Sequence, residues 1–375
     1  MGRPLMDRVS TVPPPTGPTT VRADGPAPAT DGPRPLQSRT FDDWGSLFGS
    51  AAGSFGLVWL AYENLLPFSG LVGFLICWYL TFVAMYAGVT ALTNPLPVVL
   101  DRLASAMVQG AAALTAIALG SAIAYPFIKG YHAILHANFY SHDMSGVAPT
   151  APLTKGGQLH AIVGSLIELG IAIAIVLPLG IGTAVFMTEV GGRFARIVRT
   201  IVEAMTALPS IVAGLFIYAV LIVDLHYGKS GFAAALAMGV MGLPIIARAS
   251  DVVLRVVPGG LREASFALGS STWRTVWRVV LPTARPGLAT AVILGVARMI
   301  GETSPVLLTS GATTFMNYNP FNAPMNSMPL SIYFSVRSGE PLSIERGYGL
   351  AAVLLGIVLI LFVTARLLAR QRPSR

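Results

Sequence analysis

Eight apolar runs organise this chain, near residues 45–62, 69–92, 105–128, 160–189, 204–224, 231–247, 286–310 and 347–368. Most match or exceed the roughly 20 residues needed to cross the hydrocarbon layer as a helix. In lipid, backbone N–H and C=O groups must be satisfied within the segment itself, which selects helices over open strands. The expected fold is therefore all-α, a polytopic transmembrane helical bundle of about 8 spans. Only 11% of the residues are charged, against about a quarter in soluble domains. The net charge of +8 is not gathered with aromatics on a soluble module, so no nucleic-acid partner is expected; the partner is the bilayer. Cys77 is the one cysteine, which excludes an intrachain disulfide and a Cys-based metal site.

One polar segment interrupts the apolar pattern most sharply. Arg262-Glu263-Ala264-Ser265-Phe266-Ala267-Leu268-Gly269 is followed, after a short basic stretch, by Val279-Val280-Leu281-Pro282. With this loop placed in the cytoplasm and the spans alternated outward, both termini fall inside. Of 25 Lys and Arg, 19 then lie on the cytoplasmic side, five outside (Lys129, Lys155, Lys229, Arg337, Arg346), and Arg298 within a span. That bias obeys the positive-inside rule. Residues 1–40 contain nine prolines and no large apolar run, and are expected to form a disordered cytoplasmic tail. Residues 41–95 read as an N-terminal transmembrane hairpin, and 96–375 as the core.

The spacing of the polar segment resembles the EAA loop of ABC importer permeases, the cytoplasmic element on which an ATPase subunit docks. Ser265 stands for the third Ala of that pattern and Val279 for its Ile. The resemblance covers roughly residues 105–370. It implies the type I ABC importer permease core of the MetI-like, binding-protein-dependent family, with the hairpin as an extra element. The coupling loop, 257–283, is expected to fold as a short helical hairpin at the membrane surface. Pro258 suits a helix start, and Gly269 a sharp turn. A second helix near 271–281 is expected to present Trp273, Val276, Trp277 and Val280 on one side. By the resemblance, Glu263, Ala264, Ser265, Gly269, Leu281 and Pro282 couple the chain to the ATPase. Amphipathicity alone would equally fit an ordinary interfacial helix.

The motor itself is not in this sequence. Gly228-Lys229-Ser230 is the sole Gly-Lys-Ser triplet, and Val223 stands where a P-loop needs its first Gly. ATP and Mg are therefore expected on a partner ATPase, with no cofactor and no catalytic residue in this chain.

The second informative stretch is Val296-Ala297-Arg298-Met299-Ile300-Gly301-Glu302-Thr303-Ser304-Pro305. An Arg near mid-bilayer costs on the order of 2.5 to 3.5 kcal/mol on insertion scales, so it needs a partner or a task. Glu302, four residues on, is expected on the same helix face. The guanidinium fork also suits oxyanions, and Thr303, Ser304, Thr309 and Ser310 add hydroxyls. Together with Ala207-Leu208-Pro209-Ser210-Ile211-Val212-Ala213-Gly214 and the run from Gly242-Leu243-Pro244 to the Glu263 loop, this stretch resembles the phosphate-specific, PstA-type branch of the family. By that resemblance, Arg298, Glu302, Thr303 and Ser304 belong to a phosphate path. A buried ion pair holding two helices is the structural alternative. Glu168, a carboxylate inside the span 160–189, is expected to pair with Arg298 or face the hairpin, in a structural or gating role. Pro178, Pro209 and Pro244 are expected to kink three spans.

Outside the membrane, His132, His136 and His142 lie in the loop 129–159. The first two have helical i, i+4 spacing, but no third ligand is fixed, and no metal site is expected. The outer loop 311–346 carries Arg337, Glu340, Glu345 and Arg346, read as solvent-facing. The resemblance implies a permease subunit of an ATP-driven phosphate importer in a prokaryotic cell membrane. Its implied partners are a second, related permease chain, an ATPase dimer and an extracytoplasmic phosphate-binding protein. The same architecture serving sulfate or molybdate remains the alternative.

Overall fold

The computed structural model describes residues 41–62 and 70–369, so the expected tail 1–40 lies outside the described residues. Every regular element among the described residues is helical. Two compact units divide between Ala112 and Ala113, within helix α3 (Leu96–Leu135).

In the first unit, α1 (Phe41–Leu60) and α2 (Leu71–Ala91) pack as a hairpin. Phe55 meets the edges of Phe74 and Trp78, and Trp78 Nε1 donates to the Ala51 carbonyl at 3.2 Å.

The second unit contains the rest. After α3 and the short α4 (Asn138–Ser141) comes α5 (Leu159–Val185), which ends in a π-helical turn, Phe186–Val190. Then follow α6 (Gly192–Thr206), α7 (Ser210–Ile217, extended by a π turn to Asp224) and α8 (Gly231–Val256). The loop helices are α9 (Gly259–Ala267) and α10 (Thr272–Thr275), the latter running through Val276–Val280 into α11 (Leu281–Ile300). The chain closes with α12 (Ser304–Thr309), α13 (Met328–Arg337) and α14 (Pro341–Ala369). Among the described residues, six helices are long and apolar enough to cross a membrane, or seven if a bent pair counts as one span. The 20-residue α1 brings the apolar segments to the eight of the sequence pattern.

The main core lies where Leu169, Ala172 and Val176 of α5 meet Ala234, Met238 and Ile246 of α8 and Met299 and Ile300 of α11. A second cluster joins Ala184, Leu254, Val257, Val280, Ala284 and Leu288 beneath the polar loop. Burying side chains of this size contributes about 1.5–3 kcal/mol each in water; between membrane helices, close packing supplies the attraction instead.

The bend expected at Pro209 is present and larger than a kink: α6 and α7 meet at 105°, because Pro209 takes an extended conformation (φ −60°, ψ 139°) and cannot continue a helix. Two expectations change. Pro178 and Pro244, by contrast, sit inside continuous helices. The span near 231–247 runs on to Val256, since Asp251 neutralises the basic residues that end the apolar run. Its carboxylate meets Arg255 at 3.0 Å and Arg199 of α6 at 3.2 Å.

Candidate functional site

The polar loop folds as two helical arms about a turn. Pro258 precedes α9, and Gly269 adopts φ +79°, which a residue with a Cβ rarely tolerates. Ser265 is buried, and its hydroxyl lies 2.9 Å from that of Thr275 on the other arm. The replacement of Ala by Ser thus fastens the two arms together. Glu263 and Ala264 are exposed on α9, while Leu281 packs into the cluster below. The hairpin is not free-standing: its second arm continues into α11, with Pro282 in the first turn. Nor does that arm present one apolar side. Val276 and Val280 are buried, while Trp273 and Trp277 stand exposed, their rings 5.5 Å apart. Leu268 is exposed as well. An uncovered apolar rim around an exposed carboxylate is the chemistry of a docking surface.

The loop also carries charge pairs that its sequence does not disclose. Arg262 grips Glu189, in the π turn after α5, with contacts of 2.8, 3.2 and 3.2 Å. It further donates to the Val257 and Leu254 carbonyls at 2.7 and 2.9 Å. Helical i, i+4 spacing reveals local pairs, but a pair 73 residues apart leaves no such signal.

Within the membrane segments, Arg298 Nε lies 3.3 Å from Glu302 Oε1. The side chains are 61% and 12% exposed, respectively. Glu302 does not extend the same helix as expected. α11 stops at Ile300, and the Glu302 amide turns back to donate to the Met299 carbonyl at 3.2 Å. Thr303 and Ser304 follow at the start of α12, half-buried, and make no side-chain hydrogen bond among the described residues. Thr309 and Ser310 do not face Arg298 as free donors. Thr309 donates to the Pro305 carbonyl at 2.8 Å, and Ser310 Oγ lies 2.5 Å from Glu168 Oε1 and meets the Met325 carbonyl. Glu168, 1% exposed, therefore has Ser310 as its partner, and no ion pair joins it to Arg298. Glu168 and Glu302 nonetheless line one cavity of about 10 Å³, too small for an anion.

The two motifs that flank this region in sequence meet in space. A Cβ on Gly214 of α7 would lie 2.6 Å from Cα of Pro305 in α12, so only Gly permits this approach. Sequence reasoning missed Arg248. It was placed just beyond a span, but it lies within α8, exposed, and lines a groove of about 600 Å³ with Thr206, Thr290 and Leu294. Arg298 continues that face of α11, four residues past Leu294.

On the opposite side, Asp143 ties two outer segments. Its carboxylate accepts from the Ser145 hydroxyl and amide at 3.1 Å each and from the Met316 amide at 2.9 Å. Burial pushes its pKa up, but the Ser145 and Met316 hydrogen bonds outweigh this and leave it below the usual 3.8. Arg346 is not solvent-facing: it is buried and donates to the carbonyls of Ala151, Pro152 and Lys155 at 2.8, 2.8 and 3.1 Å. The loop histidines diverge. His132 meets Glu345 at 3.0 Å, His136 the His132 carbonyl at 2.8 Å, and His142 the Ser141 hydroxyl at 2.9 Å.

The model of a family described as "Binding-protein-dependent transport system inner membrane component" matches residues 158–371. Phosphate transport system permease protein PstA 1 of Mycobacterium tuberculosis is 37% identical over 241 residues, 64% of this chain and 79% of that protein. The Mycobacterium leprae protein named PstA is 39% identical, over 66% of this chain and 82% of its own length. Among solved structures, a bacterial ABC transporter involved in alginate import aligns with TM-score 0.48 at 15% identity, covering 72% of this chain and 99% of that one. The inward-facing MetNI methionine transporter aligns with TM-score 0.46 at 20% identity, over 57% of this chain and 94% of that one.

Proposed function

The chain belongs to the family of binding-protein-dependent transport system inner membrane components, and from that premise we propose that it is a permease subunit of an ATP-driven importer of inorganic phosphate. It is a multi-pass membrane protein and a transport subunit. The observation that carries the substrate is its 37–39% identity to mycobacterial proteins named phosphate transport permeases. The intramembrane guanidinium supports it. Arg298 is held by one long contact and is otherwise open, so its planar fork is available to a tetrahedral oxyanion.

An exposed Arg within an apolar helix is costly against lipid. A second, related permease chain facing Arg298 and Arg248 removes that cost and encloses a path between the two chains. Phosphate delivered by an extracytoplasmic binding protein displaces Glu302 from Arg298, with Thr303 and Ser304 as hydroxyl donors. Glu168, tied to Ser310, keeps the outer end of α12 in place and acts as a gate residue. On the cytoplasmic side, where both termini lie, Glu263, Ala264, Gly269 and the Leu281-Pro282 start of α11 form the seat of an ATPase dimer, which alone holds ATP and Mg. ATPase closure and reopening drive alternating access in a prokaryotic cell membrane. No covalent chemistry occurs in this chain.

The test is uptake of labelled phosphate at low micromolar supply in cells lacking the chain and in cells with it restored. Uptake that returns with the chain, and that excess sulfate and molybdate leave untouched, is the expected result. Equal competition by those anions would move the substrate to the wider oxyanion class.

A further inference from the structure

The loop gives an ATPase something to hold, but holding does not explain how the movement reaches all of the core. Helix α9 is joined through the chain to α8 on one side and, beyond the turn, to α11 on the other. Helix α5 has no such connection: it leads into α6, and Glu189 in its π turn stands 73 residues before Arg262. Yet α5 packs along α8 and carries Glu168 at its outer end.

One charged side chain of the docking helix bridges this gap, beside the apolar contact of Ala184 with Leu254 and Val280. Arg262 immediately precedes Glu263, and its side chain is 21% exposed against 7% for Glu189. Nε reaches both carboxylate oxygens at 3.2 Å, and Nη2 reaches Oε1 at 2.8 Å. Two further N–H groups, one on Nη2 and one on Nη1, donate to the Leu254 and Val257 carbonyls. Those carbonyls belong to the C-terminal end of α8, where helix acceptors lack intrahelical donors and a cation is favoured. A single guanidinium on the docking helix thus grips the cytoplasmic ends of two spans. Among the described residues, no other ion pair joins α9 to α5 or its π turn.

We propose that the Arg262–Glu189 pair is the link that carries movement of the docking helix α9 into α5, with both as positioning residues for transport. The proposal rests on the reading that this loop seats an ATPase. A multidentate, partly buried pair is screened by salt less than a surface contact and resists shear better than a point charge, because the fork fixes direction as well as distance. Lysine cannot reproduce it: an ammonium on a flexible stem cannot hold the carboxylate in two places while serving both carbonyls. When α9 tilts under the closing ATPase, α8 and α11 follow through the backbone. α5 follows through Glu189.

The experiment uses the whole complex in proteoliposomes, with the wild-type chain, Glu189→Gln or Arg262→Lys. ATPase subunit retained on purification, ATP hydrolysis and phosphate uptake are measured on the same samples. Glu189→Gln is expected to keep the ATPase subunit bound and hydrolysing, while phosphate moved per ATP falls about tenfold, the factor of one lost charged hydrogen bond. Arg262→Lys preserves the charge and is expected to lower the ratio less. An unchanged ratio in both variants overturns the link. Loss of the ATPase subunit from Glu189→Gln overturns it too, since the pair would then build the seat rather than transmit through it. If the wild-type chain itself retains no ATPase subunit, the docking reading fails before the link is in question.

Discussion

Arg262 and Arg298 each face a glutamate, at 2.8 Å and 3.3 Å, but the two guanidinium groups are used in opposite ways. Arg262 is 21% exposed and spends its donors on a carboxylate and two helix-end carbonyls. Arg298 is 61% exposed and makes one long contact to a carboxylate that sits past the end of its own helix. A cation with four of its five N–H groups engaged fixes geometry. An unsaturated one can exchange its partner, which is what a path for an anion requires. On the proposed function, this difference suits the loop pair to mechanical work and the Arg298–Glu302 pair to transient binding.

The largest effect is expected from Arg298→Ala. Uptake should fall about a hundredfold, the scale of a charged hydrogen-bond donor lost at a desolvated site, while the ATPase subunit remains bound. Normal uptake in this variant would reduce Arg298 to a structural residue and erase the contrast. Next is Gly269→Pro. Proline needs φ near −65° where the turn holds +79°, a conflict costing roughly 1–3 kcal/mol. Hydrolysis should persist with uptake reduced about tenfold; normal coupling would detach the turn from the coupling role. Ser265→Ala should act more weakly, by about 1 kcal/mol of loop stability, because it strands the buried Thr275 hydroxyl. Thr275→Val in the same chain should recover most of that loss, and additive losses in thermal unfolding would show that the two hydroxyls do not interact.

The smallest effect concerns pH. Asp143 has its pKa lowered below 3.8 by the Ser145 and Met316 bonds. Its contribution is therefore full above the usual carboxylate range and disappears as pH falls through the folded value. The Met316 amide should keep its protection against hydrogen exchange, relative to the unfolded chain, through the usual carboxylate range and lose it at lower pH. An Asp143→Asn chain should lack that step, and an identical acid profile in both would show that the tie is not ionic.

The two-armed fold of the polar loop was legible because its spacing is long and its position is constrained by topology. The span count followed from apolar length in the same way. What escaped reading depended on partners distant in sequence. Helix α8 was cut at 247 because Arg248, Asp251 and Arg255 look like a cytoplasmic loop; Asp251, shared between Arg199 and Arg255, lets the helix continue. Arg346 looked solvent-facing because its acceptors are backbone carbonyls near 149–155, which no residue type betrays. Trp273 and Val280 fall on one side of the expected helix, and only the packing of the second arm over Leu254 and Ala184 separates the buried valine from the exposed tryptophan. At the candidate path, residue types indicated Arg298 and Glu302 but not the helix end between them. Glu168 was visible as a buried carboxylate, though its serine partner was not.

The most direct measurement is phosphate accumulated per ATP hydrolysed by the purified complex in proteoliposomes, with binding protein on the outside and ATP on the ATPase side. Accumulation is expected to require ATP, to survive excess sulfate and to disappear with Arg298→Ala while hydrolysis continues. Accumulation without ATP, or accumulation that Arg298→Ala leaves intact, would contradict the proposed function.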